Sequence, residues 1–191
     1  MRKKDLIFIL VLVIFVVLFL WQWNSQAILV NQANSLEKLN EQMMLMTGIG
    51  TIGSTHIHAN IKVYLNGQAL DFSQRKYQVA TSYIHFEDGM GDVIHVHATG
   101  LALEHLFHSI RMDFTNNCIF YEGQNYCNEG DKKLKFYVNG QTNNEFGNRI
   151  IKDLDKYLIS FGNENESDIQ KQIESVTNLA PHYSSQSQYS G

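Results

Sequence analysis

The sequence predicts an α+β protein: an N-terminal transmembrane helix and helical stalk, then one small, mostly antiparallel β-sheet domain with one packed helix. Three observations carry this. Residues 6–21 contain no polar side chain. Two alternating segments, Ile61-Lys62-Val63-Tyr64-Leu65-Asn66-Gly67-Gln68 and Leu134-Lys135-Phe136-Tyr137-Val138-Asn139-Gly140-Gln141, echo each other and both run into Asn-Gly, the strongest short hairpin signal. Between them Leu103, Leu106, Phe107 and Ile110 fall at i, i+3, i+4 and i+7, one face of a helix of about three turns. Two such hairpins and one helix suggest a β-grasp-like arrangement.

Residues 1–23 read as a cytoplasmic tip and membrane anchor. Arg2, Lys3 and Lys4 precede the apolar run, and Trp21 and Trp23 close it as interfacial aromatics. Sixteen residues, 6–21, span ~24 Å as a helix, so the flanking residues must sit in the interfaces. The basic end belongs in the cytoplasm, which makes this a single-pass protein of the cell membrane with its C-terminal domain outside. A cleaved signal peptide competes, because Ser25-Gln26-Ala27 has the small-x-small form of a cleavage site; the long apolar run favours the uncleaved anchor.

Residues 24–54 read as a stalk and linker. Leu29, Leu36 and Met43 repeat every seven residues, with Leu39 and Met46 three later, an a/d pattern that would let chains form a homo-oligomer. A short helix lying on the membrane or the domain fits the same pattern. The heptad spacing of Met43 and Met46 assigns these methionines to packing rather than copper(I) ligation. Residues 47–54, with three glycines, are a flexible linker by composition.

The globular domain runs over residues 55–162. Ile150-Ile151 and Tyr157–Phe161 read as closing strands joined by a turn over residues 152–156. Residues 163–191 hold a short helix, begun by the capping box Ser167-Asp168-Ile169-Gln170, and a polar tail from Ser184 expected to be disordered.

Five histidines dominate the domain: His56, His58, His85, His95 and His97. Side chains alternate along a strand, so each His-x-His pair points both imidazoles to one face. On the first strand Ile57, Ala59, Ile61, Val63 and Leu65 share the core parity, which leaves His56, His58, Asn60, Lys62 and Tyr64 on the other face. A three-residue loop, Gly89-Met90-Gly91, sets Ile84 opposite Val96 and Phe86 opposite Ile94, as burial requires. The same register sets His85 opposite His95 and Tyr83 opposite His97. His85, His95 and His97 are then neighbours, and directly opposed Cβ atoms lie ~5 Å apart. His56 and His58 join them if the first strand lies beside this hairpin. Imidazole is the commonest metal ligand in proteins, three of them match an open zinc site, and four suit copper(II) or zinc. Glu87, on the same face, is placed as an orienting carboxylate or a ligand. His105, His108 and His182 read as solvated.

Cys118 and Cys127 bracket a hairpin whose four-residue loop, 121–124, pairs Phe120 with Asn125 and the cysteines with each other, so a disulfide is expected. No Cys-x-x-Cys, phosphate loop or nucleophile elbow is present. Asn165-Glu166-Ser167 forms a glycosylation sequon at Asn165. Net charge is −4 without a basic cluster beyond the N-terminus, which argues against nucleic acid.

The order His-x-His-x3-Lys-x-Tyr-x-Asn-Gly, Ile-His-x-x-Asp, Val-Ile-His-Val, a Leu-rich helix, Cys, Tyr-Cys, Val-Asn-Gly and a final strand ending in Gly resembles a family of uncharacterised archaeal and bacterial proteins, exported or tethered by one N-terminal helix. The resemblance covers about Thr55–Gly162. It implies export and the domain limits, and no activity. Members often carry Thr-His-Asp where this chain has His85-Phe86-Glu87-Asp88.

Three functional readings stand. The first is a non-enzymatic surface module that binds copper or zinc through His85, His95 and His97, with His56 and His58 as further ligands. The second is a metal-dependent hydrolase or hydratase with a three-histidine site and Glu87 as its base. The third is a structural or adhesive protein without metal.

Overall fold

The computed structural model describes residues 2–187 and divides the chain into two compact units, Met1–Thr47 and Gly48–Gly191. The first unit is one helix, α1 (Lys3–Thr47), of 45 residues, roughly 68 Å at ~1.5 Å per residue. The anchor and stalk of the sequence reading are thus a single uninterrupted element. No glycine or proline occurs between Lys3 and Thr47, and Gly48, at φ 72°, ends the helix as a left-handed cap. From Ile9 to Trp23 its large apolar side chains are exposed, and the helix is long and apolar enough to cross a membrane.

The second unit is α+β and mostly antiparallel. Its elements are β1 (Ile57–Leu65), β2 (Gln68–Ala69), β3 (Ile84–His85), β4 (Val93–Val96), α2 (Leu103–Ser109), β5 (Asp113–Phe114), β6 (Cys118–Tyr121), β7 (Gln124–Cys127), β8 (Lys133–Val138), β9 (Gln141–Thr142), β10 (Lys156–Gly162), α3 (Glu166–Ser175) and α4 (Ala180–Ser187). The main sheet has the order β3-β4-β1-β10-β8-β9, with β2 on β1, and β5-β6-β7 form a smaller sheet. Its central pair, β1 and β10, is parallel, while the other pairings are antiparallel.

The core lies between one face of the main sheet and α2. Ala59, Ile61, Val63, Ile94, Val96, Phe136 and Ile159 meet Leu103, Leu106 and Phe107 there, all nearly or completely removed from water. Both Asn-Gly pairs make the expected two-residue turns: Asn66 and Gly67, like Asn139 and Gly140, take positive φ.

Several local readings are corrected. The helix α2 has seven residues, about two turns, because it begins only at Leu103 and Ile110 already caps it. Ile150-Ile151 is no strand: Ile150 makes an isolated bridge with Ala102, and Ile151 N donates to Leu101 O at 2.9 Å. The hairpin at 118–127 has the expected register, but Tyr121 and Gln124 are paired and only Glu122-Gly123 turn, both at positive φ. The glycine linker is held in place: Gly50 N donates to Thr99 O at 2.9 Å and Gly53 N to His97 O at 2.7 Å. A Cβ on Gly50 would meet the Thr99 and Ser54 hydroxyls, which would have to turn aside.

The C-terminal segment departs furthest from the sequence reading. The expected tail forms α4 through Ser187, and residues 188–191 lie outside the described residues. With α3, it covers the second face of the main sheet, where Leu158, Ile169, Val176 and Ala180 are buried. The histidine face is therefore largely interior: His58, His85 and His95 are buried.

Candidate metal centre

Strand pairing assembles the histidines. β1 runs antiparallel to β4 with His58 opposite His95, and β3 continues the row with His85 opposite His95. His97 N donates to Tyr83 O at 2.8 Å, as the hairpin register requires. One position beyond the β1–β4 ladder, His56 meets His97. The rings close a circuit: His56–His58 4.9 Å, His58–His95 4.6 Å, His95–His85 5.8 Å, His85–His97 5.1 Å and His97–His56 4.7 Å between centroids. All five sequence-derived histidines thus meet on one patch.

They are not equivalent. His58 and His95 are each 1% exposed and His85 6%, whereas His97 is half-buried and His56 exposed. One ligand nitrogen from each of His56, His58 and His95 lies within 4.8 Å of the others, so these three could hold a metal ion. On zinc at ~2.0–2.1 Å, tetrahedral ligand atoms are ~3.4 Å apart, so no pair would have to draw in by more than about 1.4 Å. The trio differs from the His85, His95, His97 set that the hairpin alone suggests.

The neighbours explain the difference. His85 Nδ1 is 2.7 Å from Thr81 O and its Nε2 is 3.2 Å from Glu87 Oε2, so both nitrogens already face acceptors. Glu87 reaches both ways, its Oε1 lying 3.0 Å from His95 Nδ1. That last contact is close but misaligned, and neither ring nitrogen of buried His95 makes a hydrogen bond among the described residues. A buried polar group without a partner costs about 1–3 kcal/mol. His95 combines that state with membership of the trio that could hold a metal ion.

His58 is tied differently. Its Nδ1 lies 3.0 Å from Ser184 Oγ, which donates to Asp153 Oδ1 at 2.9 Å, and its backbone N–H donates to the same Oδ1 at 3.0 Å. The Tyr183 ring covers both buried histidines, 5.8 Å from His58 and 5.1 Å from His95. Asn60, next on this face of β1, holds the covering segment: its Oδ1 accepts from Thr177 Oγ1, Leu179 N and Ala180 N at 3.2, 2.8 and 3.1 Å.

The electrostatics favour neutral rings. Burial first, then the other imidazoles, lowers His95 from 6.5 to about 3. Burial, then His56, lowers His58 to about 4 against the opposing pull of Asp153. His97 is lowered too, mainly by burial and by His56 and His85. A neutral imidazole is the ligating form, so protons compete weakly with a metal at the buried positions.

The remaining sites are structural. Cys118 and Cys127 form a disulfide with Cα atoms 4.1 Å apart, which removes thiolate as a ligand. Asn165 caps α3, its side chain accepting from Asp168 N at 3.0 Å. His105, read as solvated, instead accepts from Ala102 N through Nδ1 at 2.9 Å and caps α2. His108 is exposed and 3.0 Å from Asp113 Oδ1, and His182 is exposed.

Sequence reasoning missed Ser184, Tyr183 and Asp153. Asp153 lies in a turn, Ser184 opens a segment that looks like a polar tail and Tyr183 immediately precedes it, so no periodicity marks them. No family model matches the chain, and no curated protein or solved structure matches it either.

Proposed function

We propose that this protein is a membrane-anchored, extracytoplasmic module that binds a transition metal ion, zinc(II) or copper(II), through His56, His58 and His95. The observation that carries the reading is His95, buried with both ring nitrogens lacking a hydrogen bond beside His58 and His56. An all-imidazole set suits zinc and copper(II) better than magnesium or calcium, which prefer oxygen. Glu87 orients His85 and places its second carboxylate oxygen beside His95, and His97 stands at the rim.

Binding, not turnover, is the activity this geometry supports. His58 and His95 lie beneath Tyr183, which keeps substrate from approaching the ion on that side. Solvated surface histidines do not fit either, since three of the five are buried. In the same reading α1 anchors the chain with its basic end in the cytoplasm, and the disulfide suits a domain outside. Exposed Leu29, Leu36 and Met43 support self-association along α1. The parallel central pair β1/β10 flanked by antiparallel strands supports a β-grasp relation for the domain.

The test is titration of the detergent-solubilised full chain with zinc and copper after chelator treatment. The wild type and His108→Ala, at an exposed position on α2, should bind one ion per chain. A His58→Ala, His95→Ala double variant should lose more than about a hundredfold in affinity, beyond what removal of an orienting partner causes. Equal affinity in all three would exclude the site.

A further inference from the structure

We infer that the C-terminal helix α4 is the closing element of the metal site, with Ser184 positioning His58 and Tyr183 sealing His58 and His95; this rests on the metal reading above. Proton placement defines the role of Ser184. The Asp153 carboxylate can only accept, so the hydroxyl that reaches it at 2.9 Å is the donor. Ser184 Oγ is left to accept from His58 Nδ1–H at 3.0 Å. His58 is thereby held in the tautomer whose Nε2 carries the lone pair, the arrangement by which a partner behind an imidazole orients it toward a metal.

Asp153 is itself fixed to the same histidine, because its Oδ1 also accepts from His58 N. The three groups form a closed loop between β1, the turn before β10, and α4. Asn60 secures the other end of the element through the backbone amides that lead into α4. The helix is consequently pinned on both sides of Tyr183, whose ring lies against His58 and His95. His56 remains exposed, so an ion reaches the trio past His56 while α4 keeps water from its opposite side.

Two residues of α4 then control different quantities. Ser184 sets how well His58 is presented, and so the affinity. Tyr183 sets how readily water reaches the bound ion, and so the rate of loss. The hydroxyl of Tyr183 has no part in this, which separates a cover from a fourth ligand.

The experiment compares zinc affinity and chelator-driven zinc release for the full-length wild type, Ser184→Ala, Ser184→Thr, Tyr183→Ala and Tyr183→Phe, with metal-free melting temperatures measured alongside. Ser184→Ala should lose about 10–100-fold in affinity, as loss of an orienting partner does, and Ser184→Thr should recover it. Tyr183→Ala should release zinc on the order of tenfold faster, and Tyr183→Phe at the wild-type rate. Wild-type affinity and release in Ser184→Ala and Tyr183→Ala would overturn the role of α4 while leaving the metal site standing. Equal losses in Tyr183→Phe and Tyr183→Ala would overturn the cover in favour of a phenol ligand. A wild-type protein that binds neither zinc nor copper would overturn this inference together with the reading on which it rests.

Discussion

His95 shows how a single residue can set stability against function. Its ring is buried, and neither nitrogen makes an aligned hydrogen bond among the described residues, although Glu87 Oε1 lies 3.0 Å from Nδ1. Replacing a buried, unpartnered polar group by an apolar one of similar size is neutral or stabilising. His95→Leu should therefore leave the metal-free melting temperature unchanged or raise it, by up to about 1 kcal/mol of stability, while abolishing metal binding. A marked fall in melting temperature would mean that the ring contributes packing or hydrogen bonds the structure does not record. The titration of the same cluster gives a second expectation. Unfolded imidazoles take up protons near pH 6.5, whereas folded His58 and His95 do so only near 4 and 3. Between these values the unfolded chain binds more protons. Stability of the metal-free protein should be full above about pH 6.5 and fall as pH drops, by about 1.4 kcal/mol per unit for each histidine. Denaturant unfolding across pH 7 to 4 measures it; a flat profile would contradict the buried, neutral rings. At this scale much was legible in the sequence. Parity and one loop length placed His85 opposite His95, because burial of Ile84 and Val96 admits only that register. His105 was not legible, since a capping histidine and a solvated one have the same sequence spacing.

At the scale of elements, the hairpins followed from Asn-Gly, which accepts positive φ wherever the chain must reverse in two residues. The neighbour of β1 did not. A strand's own residues say which face is apolar, not which strand lies beside it, so whether His56 and His58 join the others waited on the β1–β4 pairing. Helix α4 was illegible for a different reason. It is weakly amphipathic and polar, and what holds it is tertiary: Leu179, Tyr183 and Ser184 contact Asn60 and His58, more than a hundred positions earlier. Asn60→Ala should strip the acceptor from Leu179 N and Ala180 N, with a loss of about 1–3 kcal/mol and faster hydrogen exchange in α4. Unchanged exchange there would show that Asn60 does not secure the helix. The disulfide acts independently of this. Reducing Cys118–Cys127, which closes a short loop in the smaller sheet, should lower stability by about 2–3 kcal/mol and leave metal affinity unaltered. Loss of affinity on reduction would couple two regions that the structure keeps apart.

On the scale of the whole molecule, one uninterrupted helix with exposed apolar side chains precedes a domain whose sheet is covered on both faces. Periodicity and a capping box mark α2 and the helix begun at Ser167, but nothing in their residues says which face of the sheet the C-terminal helices cover, so the histidines read only as a non-core face. Covering the second face changes their chemistry: it removes water from His58 and His95 and lowers their proton affinity, and neither ring nitrogen of His95 makes a hydrogen bond among the described residues. The anchor admits a plain test. The full chain should stay with the membrane through alkaline carbonate extraction, and release into the supernatant would exclude an integral helix. The metal site is the central claim, and X-ray absorption at the metal edge of the zinc-loaded protein tests it most directly. The expected spectrum shows about three imidazole nitrogens at ~2.0–2.1 Å with the outer-shell scattering of the rings, diminished in His95→Ala. A coordination shell of oxygen alone, unchanged by that substitution, would contradict it.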